Sequence, residues 1–437
     1  MTGYAEKLAA VGVNVPTLLV PKKGVDLNKW SVVACDQFTS QPEYWEAADE
    51  FVGDAPSALR LVYPEAYLGE ADPQARIDSI NATMQQYVDN DLFDIHENTM
   101  FLVRRTMAKG HGRWGLILAL DLEHYSWEPD STTLIRATEG TILDRIPPRK
   151  VIRQNAALEL PHIMVLIDDP DATVIEPLAA KRDSLPEVYD TDLMLDGGHV
   201  QAWAITDDAD LDQIADALTG LYKKLDPANP LLFAMGDGNH SLATAKSIWM
   251  DVRETIDESE WEGHPARYCL VELENIFDDG LTFEAIHRVM FNTKRADFEA
   301  ELAKHCASFD VTEVADLDAM LEALETMPGQ TFGYGDADGL AVYTVNAPEV
   351  VLAAATLQRV IDAMLADGTC PEVDYIHGDE VTLELGQRPG NLGFLLSPIS
   401  KDTFFASMIA DGVLPRKTFS MGDAEEKRYY MEARRIK

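Results

Sequence analysis

The run Leu231-Leu-Phe-Ala-Met-Gly-Asp-Gly-Asn-His-Ser-Leu-Ala-Thr-Ala-Lys246 constrains this chain more than any other stretch. An apolar segment of strand type enters a turn that holds Asp237, Asn239 and His240. A helix pattern follows at once, with Leu242, Ala245, Ile248, Trp249, Val252 and Ile256 on one face. The helix is expected to begin near Ser241. Gly236 and Gly238 let the backbone come close to a ligand, and the first N–H groups of a helix lack intrahelical partners. Such a turn favours an anion such as phosphate. A plain reading also stands: Asp237 or Asn239 caps the helix and does nothing more.

Hairpins and helices are interleaved along the rest of the chain without regular βαβ alternation. Trp30–Cys35 reads as a strand ending at Asp36, followed by a helix capped by Thr39 or Ser40, with Pro42 in its first turn and Gly53 closing it. Phe101–Thr106 and Trp114–Leu120 read as a hairpin around Lys109–Gly112. Val188–Leu195 and Val200–Ile205 flank Asp196-Gly-Gly198 as another. His162–Ile167 is a short buried strand, and Leu211–Leu225 an amphipathic helix. Further on, Tyr268–Leu273 and Leu281–Val289 read as strands, Asp297–Cys306, Leu317–Thr326 and Glu349–Leu365 as helices, and Phe332–Tyr334 with Ala341–Thr344 as a hairpin. The pattern predicts α+β with mixed sheets in two interlocked lobes, rather than a Rossmann or TIM fold. The boundary is placed between residues 1–225 and 226–437.

Charge narrows the partners. The chain has 75 acidic against 36 basic residues, a formal net charge of −39, so its surface repels nucleic acid and anionic membrane. The expected ligand is a small molecule, and a homo-oligomer is compatible with the sequence. No window approaches 18 uninterrupted apolar residues, so no membrane span is expected. The N-terminus lacks a basic region followed by an apolar core, which predicts no signal peptide. The four cysteines, Cys35, Cys269, Cys306 and Cys370, form no CxxC and read as reduced thiols of a cytoplasmic protein.

Several familiar motifs are absent. Ala245-Lys246-Ser247 is not the end of a P-loop, because Ala245 and His240 stand where that motif needs glycine. No GxGxxG, HExxH or GxSxG occurs. His162, His199, His264 and His305 stand alone and read as structural or exposed.

Three segments in order carry a resemblance. They are Trp30-Ser-Val-Val-Ala-Cys-Asp36, Arg136-Ala-Thr-Glu-Gly-Thr-Ile-Leu-Asp-Arg145 and Gly236-Asp-Gly-Asn-His240. Together the chain resembles the bacterial and archaeal domain-of-unknown-function family ten-fifteen. That family's first block, Pro-Pro-Tyr-Asp, is matched in part by Ala34, Cys35 and Asp36. Its His-Glu-x-Thr element and later Asp-Arg are matched by Glu139, Thr141, Asp144 and Arg145, with Thr138 in place of the histidine. Its Asp-Gly-His-His-Arg is matched by Asp237, Gly238 and His240, while Asn239 and Ser241 depart. Weaker echoes are Gly280, His287-Arg288 and Pro415-Arg-Lys-Thr418. The turn also resembles, more loosely, the ParB/sulfiredoxin superfamily, which includes free-serine kinases of the SerK type. This implies a ParB/sulfiredoxin-like core.

The kinase-like resemblance implies nucleotide-dependent transfer of a phosphoryl group to a small hydroxylated metabolite such as serine, with ATP or ADP and Mg²⁺. Phosphoryl transfer needs cations around the phosphate, a carboxylate for the acceptor's proton, and metal-binding carboxylates. Asp36, Glu139, Asp237 and His240 are the expected catalytic residues and should line one cleft. Gly236, Gly238, Asn239, Ser241, Arg136, Arg145 and Lys246 are expected around the phosphate, and Asp237 and Glu139 on Mg²⁺. A ParB-like nucleotide- or metabolite-binding regulator without turnover, and a metal-dependent hydrolase, remain the alternatives.

Overall fold

A computed structural model describes residues 3–108 and 110–437. Met1, Thr2 and Lys109 lie outside the described residues, so the tip of the expected 109–112 turn does too. The chain forms two compact units: residues 1–282 with 422–437, and residues 283–421. The boundary expected at 225/226 falls inside the first unit, between a helix ending at Lys224 and a strand starting at Phe233.

The first unit is built on a mixed sheet. Its strands are β1 (Val13–Asn14), β2 (Met100–Thr106), β3 (Gly112–Asp121), β4 (Tyr125–Ser126), β5 (Ile135–Arg136), β6 (Met164–Ile167), β7 (Glu187–Asp192), β8 (His199–Ile205), β9 (Phe233–Asp237) and β10 (Tyr268–Asn275). They run in the order β7-β8-β2-β3-β10-β6-β9-β5-β4, with β1 paired to β3. Neighbours from β7 to β10 are antiparallel, as are β6 and β9, whereas β10–β6, β9–β5 and β5–β4 are parallel. This is the expected α+β mixture.

Side-chain alternation on these strands builds two cores. Met100, Leu102, Leu116, Leu118, Leu120 and Val271 face one, which the 208–224 and 239–253 helices cover. Phe101, Val103, Ile117, Val200, Ala202 and Leu270 face the other, under Trp30, Trp45, Ile77, Ile80 and the C-terminal residues Tyr429–Ile436. Central strands buried on both faces read as near-continuous apolar runs, and Leu116–Leu120 is one.

The second face also holds buried charge. By alternation, Glu272 and Glu274 share the side of Leu270, and Arg105 and Arg113 the sides of Val103 and Ile117. Arg113 Nε donates to Glu274 Oε1 at 2.5 Å, and its Nη2 donates to the Tyr430 hydroxyl at 3.0 Å. Gly115 makes this possible: a Cβ there would lie 2.3 Å from Glu272 Oε1.

Two local expectations change. Trp30–Cys35 forms no strand of the large sheet; its Val32–Ala34 part is held by the C-terminal segment: Ala34 N–H donates to Lys427 O at 2.7 Å and Tyr429 N–H to Val32 O at 3.0 Å. The next helix, Pro42–Val52, does carry Pro42 at its start and Gly53 at its end, but Gln41, not Thr39 or Ser40, occupies the cap position.

The second unit, residues 283–421, holds a six-stranded antiparallel sheet. Phe298, Phe332, Tyr343 and Phe394 pack at its centre, with the Phe332 and Tyr343 rings stacked at 5.4 Å. The hairpin Gln330–Asp336/Gly339–Pro348 and the Leu317–Thr326 helix match expectation. The expected 297–306 helix instead spans Arg295–Leu302, and Cys306–Val314 is an edge strand. Among the described residues no helix is long and apolar enough to cross a membrane.

Candidate functional site

Asp237 ends β9, where pairing with β6 slips between Met235 and Asp237. Gly236 is the extra residue of this bulge, and a bulge re-aims the side chain that follows it. Gly238 then adopts φ +84° and starts the Asn239–Arg253 helix two residues earlier than expected. No side chain caps that helix, which removes the plain capping role for Asp237 and Asn239. Asp237 Oδ1 instead accepts from the Gly238 N–H at 2.9 Å.

Gly238 has a structural task of its own. A Cβ there would meet Ile163 Cγ1 at 3.0 Å and Cα at 3.2 Å, on a backbone conformation that L side chains rarely adopt. Gly238→Ala is therefore expected to cost about 1–3 kcal/mol of stability, read from the urea midpoint. An unchanged midpoint would show the turn to be looser than this. Substitution at Gly238 consequently cannot separate binding from folding.

The other residues of the turn are pinned in place. Asn239 Oδ1 accepts from Thr138 N–H at 3.1 Å, and its Nδ2 donates to Thr138 Oγ1 at 3.3 Å. Thr138 and Asn239 are two of the positions where the chain departs from the family pattern, and they touch each other. Ser241, a third departure, shares a hydrogen bond of 2.8 Å with His162 Nε2. His240 Nε2 accepts from Ile142 N–H at 3.3 Å, which leaves the ring proton on Nδ1. Burial, with Arg149 and Arg145 nearby, lowers the His240 pKa to about 4, so the ring is a neutral donor.

Around this turn the fold gathers charge from distant segments. Asp36 acts electrostatically on Asp237, His240, His162 and Glu65. Lys427 Nζ lies 3.5 Å from Asp237 Oδ2. Arg149 is paired with Glu65. Burial pushes the Asp237 carboxyl above the usual carboxylate range; Lys427 pulls it down and Asp36 pushes it up. Burial, and then Asp36, push the Cys35 thiol up to about 12, so Cys35 is no nucleophile at neutral pH.

Of the expected catalytic set, Asp36, Asp237 and His240 come together. Glu139 is half-buried on the loop between Thr138 and Ile142, whose backbones bond the helix start. Two expected phosphate ligands are turned elsewhere. Arg136 donates to Thr133 O, Asn229 Oδ1 and Pro230 O and clamps loops. Lys246 donates to Leu122 O at 2.7 Å. Arg145 is exposed and acts on His240 and Glu65.

Sequence reasoning missed Glu65, Arg149 and Lys427, and set His162 aside as a lone histidine. Arg149 carried a signal, since it lies four residues after Arg145 on the same helical face. Lys427 carried none.

A cavity of about 140 Å³ opens beside this cluster. Cys35, Glu65, Arg149, His162, Ser241 and Tyr429 line its polar side.

No curated protein matches the chain. Among solved structures, similarity is found to a free serine kinase variant in complex with AMP, at 10% identity, TM-score 0.39, 73% of this chain and 92% of that one. A conserved hypothetical protein from Pyrococcus furiosus matches at 10% identity and TM-score 0.34, over 70% of this chain and 90% of that one. SbnI from Staphylococcus aureus matches at 9% identity and TM-score 0.34, over 70% and 82%. The family model described as a protein of unknown function, DUF1015, matches residues 19–364. That match spans most of the sequence, and the chain belongs to this family.

Proposed function

We propose that this chain transfers a phosphoryl group from ATP or ADP to the hydroxyl of a small metabolite. The observation that carries this reading is the meeting of Asp36 and Asp237 with Arg145, Arg149, Lys427 and His240 in one charged cluster. Phosphoryl transfer demands positioning and charge neutralisation more than covalent chemistry. Arg145 and Arg149 hold the phosphate, helped by the His240 Nδ1–H and the first N–H groups of the 239–253 helix. Asp237 takes the acceptor proton as the acceptor oxygen attacks the terminal phosphorus. The bond to the departing nucleotide breaks, and its electrons stay on the nucleotide oxygen. Lys427, beside Asp237, offsets negative charge on the attacked phosphoryl group.

Among the described residues no group of three or more His, Cys, Asp or Glu side chains is spaced to hold a metal alone. Asp36 suits Mg²⁺ that stays bound to nucleotide phosphates, since Mg²⁺ is commonly held by one or two carboxylates plus phosphate oxygens, and Asp237 is kept free as the base. Bound there, it would neutralise phosphate charge. Glu139 lies on the adjoining loop, whose Thr138 and Ile142 backbones bond the helix start.

The test is phosphorus NMR of ATP or ADP incubated with amino acids and polyols. A phosphorylated acceptor is the expected product. Binding without turnover would favour a regulator, and phosphate release without acceptor a hydrolase. Arg149→Met is expected to weaken nucleotide binding at least tenfold by calorimetric titration, because a charged hydrogen bond is worth about 1.5–3 kcal/mol. Unchanged affinity in the folded variant would remove Arg149 from the site.

A further inference from the structure

The cavity beside the cluster has a wall that the reaction above does not use. Leu61, Ile80, Met84, Ile152, Leu160 and Leu270 form most of it. Many of the polar side chains that line the cavity are engaged with neighbouring protein groups. Arg153 pairs with Glu159, Arg149 with Glu65, and His162 Nε2 with Ser241. The Tyr63 hydroxyl donates to Glu70 Oε1 at 2.8 Å, and Thr244 Oγ1 donates to His240 O at 2.7 Å. His162 Nδ1 is buried without a hydrogen-bond partner.

That distribution decides what can enter. A purine or pyrimidine brings several donors and acceptors, and each one buried without a partner costs about 1–3 kcal/mol. A hydrocarbon chain brings none and gains from leaving water. Ligand sites of this kind are apolar with few polar groups at one end. Here the polar end is Cys35, Glu65, Arg149, His162 and Ser241, beside Asp36, Asp237 and His240.

We propose that this cavity binds the aliphatic chain of an amphiphilic ligand whose polar head lies at the Asp36–Asp237–His240 cluster. That the head is the hydroxyl to be phosphorylated rests on the phosphotransfer reading. The cavity assignment itself does not.

Primary alcohols from 1-butanol to 1-decanol are the probes, titrated into the full chain by calorimetry. Affinity is expected to rise about fourfold per added methylene until the cavity is full, the fold-change that matches about 0.8 kcal/mol per buried methylene. In the parent protein labelled at its methionine methyls, the Met84 signal should shift on binding. Met84→Trp and Ala156→Phe each fill part of the space. In whichever of these keeps its circular dichroism, the chain-length dependence should vanish while ADP affinity stays within twofold. A flat chain-length series, or a Met84 signal that does not move, would overturn the proposal on the parent protein alone. Loss of ADP or AMP binding in the filled variants would also overturn it, by making the cavity a nucleoside site. Alcohols that bind as expected but are never phosphorylated by ATP or ADP would uphold the cavity and refute only the identification of the head with the phosphorylated hydroxyl; the phosphotransfer reading itself falls if no amino acid or polyol is phosphorylated either.

Discussion

Asp237→Asn is expected to lower kcat by about 10²–10⁴-fold while nucleotide affinity stays within a few-fold, because general-base catalysis contributes that much and the amide cannot take the proton. The pH dependence is the sharper test. Asp237 works deprotonated, so the rate should rise with pH through a carboxyl pKa above the usual range. Lys427 lowers that pKa and Asp36 raises it. Lys427→Met should therefore move the acid limb of the pH–rate profile to higher pH, and Asp36→Asn should move it to lower pH. A purely structural role would shift neither limb. Asp237→Asn retaining more than a tenth of the parent kcat, or limbs that stay put, would take Asp237 out of the base role.

Glu432→Gln is expected to flatten the pH dependence of stability. Glu432 is fully buried, its Oε1 accepts from the Tyr189 hydroxyl at 2.5 Å, and its Oε2 has no partner. Burial pushes its carboxyl up to about 7, with Glu272 adding to the shift, against 4.5 for the ordinary value. The folded state thus holds a proton that the unfolded chain releases. Its stabilising effect is complete below the ordinary value and is lost as pH rises through about 7. The loss is on the order of 3 kcal/mol at about 1.4 kcal/mol per pH unit. Glutamine keeps the acceptor for Tyr189 and carries no proton to lose. Urea unfolding at pH 5 and pH 8 should show the parent falling more than the variant by that order. Parallel curves would show that Glu432 titrates normally.

The family departures acquire a physical meaning in three dimensions. Thr138 and Asn239 are 101 residues apart and satisfy each other. The site keeps its geometry there with a hydroxyl and an amide, neither of which titrates near neutral pH. Positive charge comes instead from Arg145, Arg149 and Lys427.

The strand, the glycine turn and the helix around Asp237 were legible in sequence because each rests on local chemistry: apolar period, positive φ at Gly238, and a helical face starting at Leu242. The α+β class followed from the same periodicities, and Asp36 and His240 from short motifs. Tertiary structure alone decided where each cation spends its charge. Arg136 and Lys246 look as available in sequence as Arg145, yet nearby carbonyls claim them. It also decided the two-unit division, because residues 422–437 return to the first unit. Lys427 and Tyr429 reach the site by backbone hydrogen bonds to Val32 and Ala34. Pairing across almost 400 residues leaves no periodic trace, since backbone groups are the same in every residue and only folding brings these two segments together.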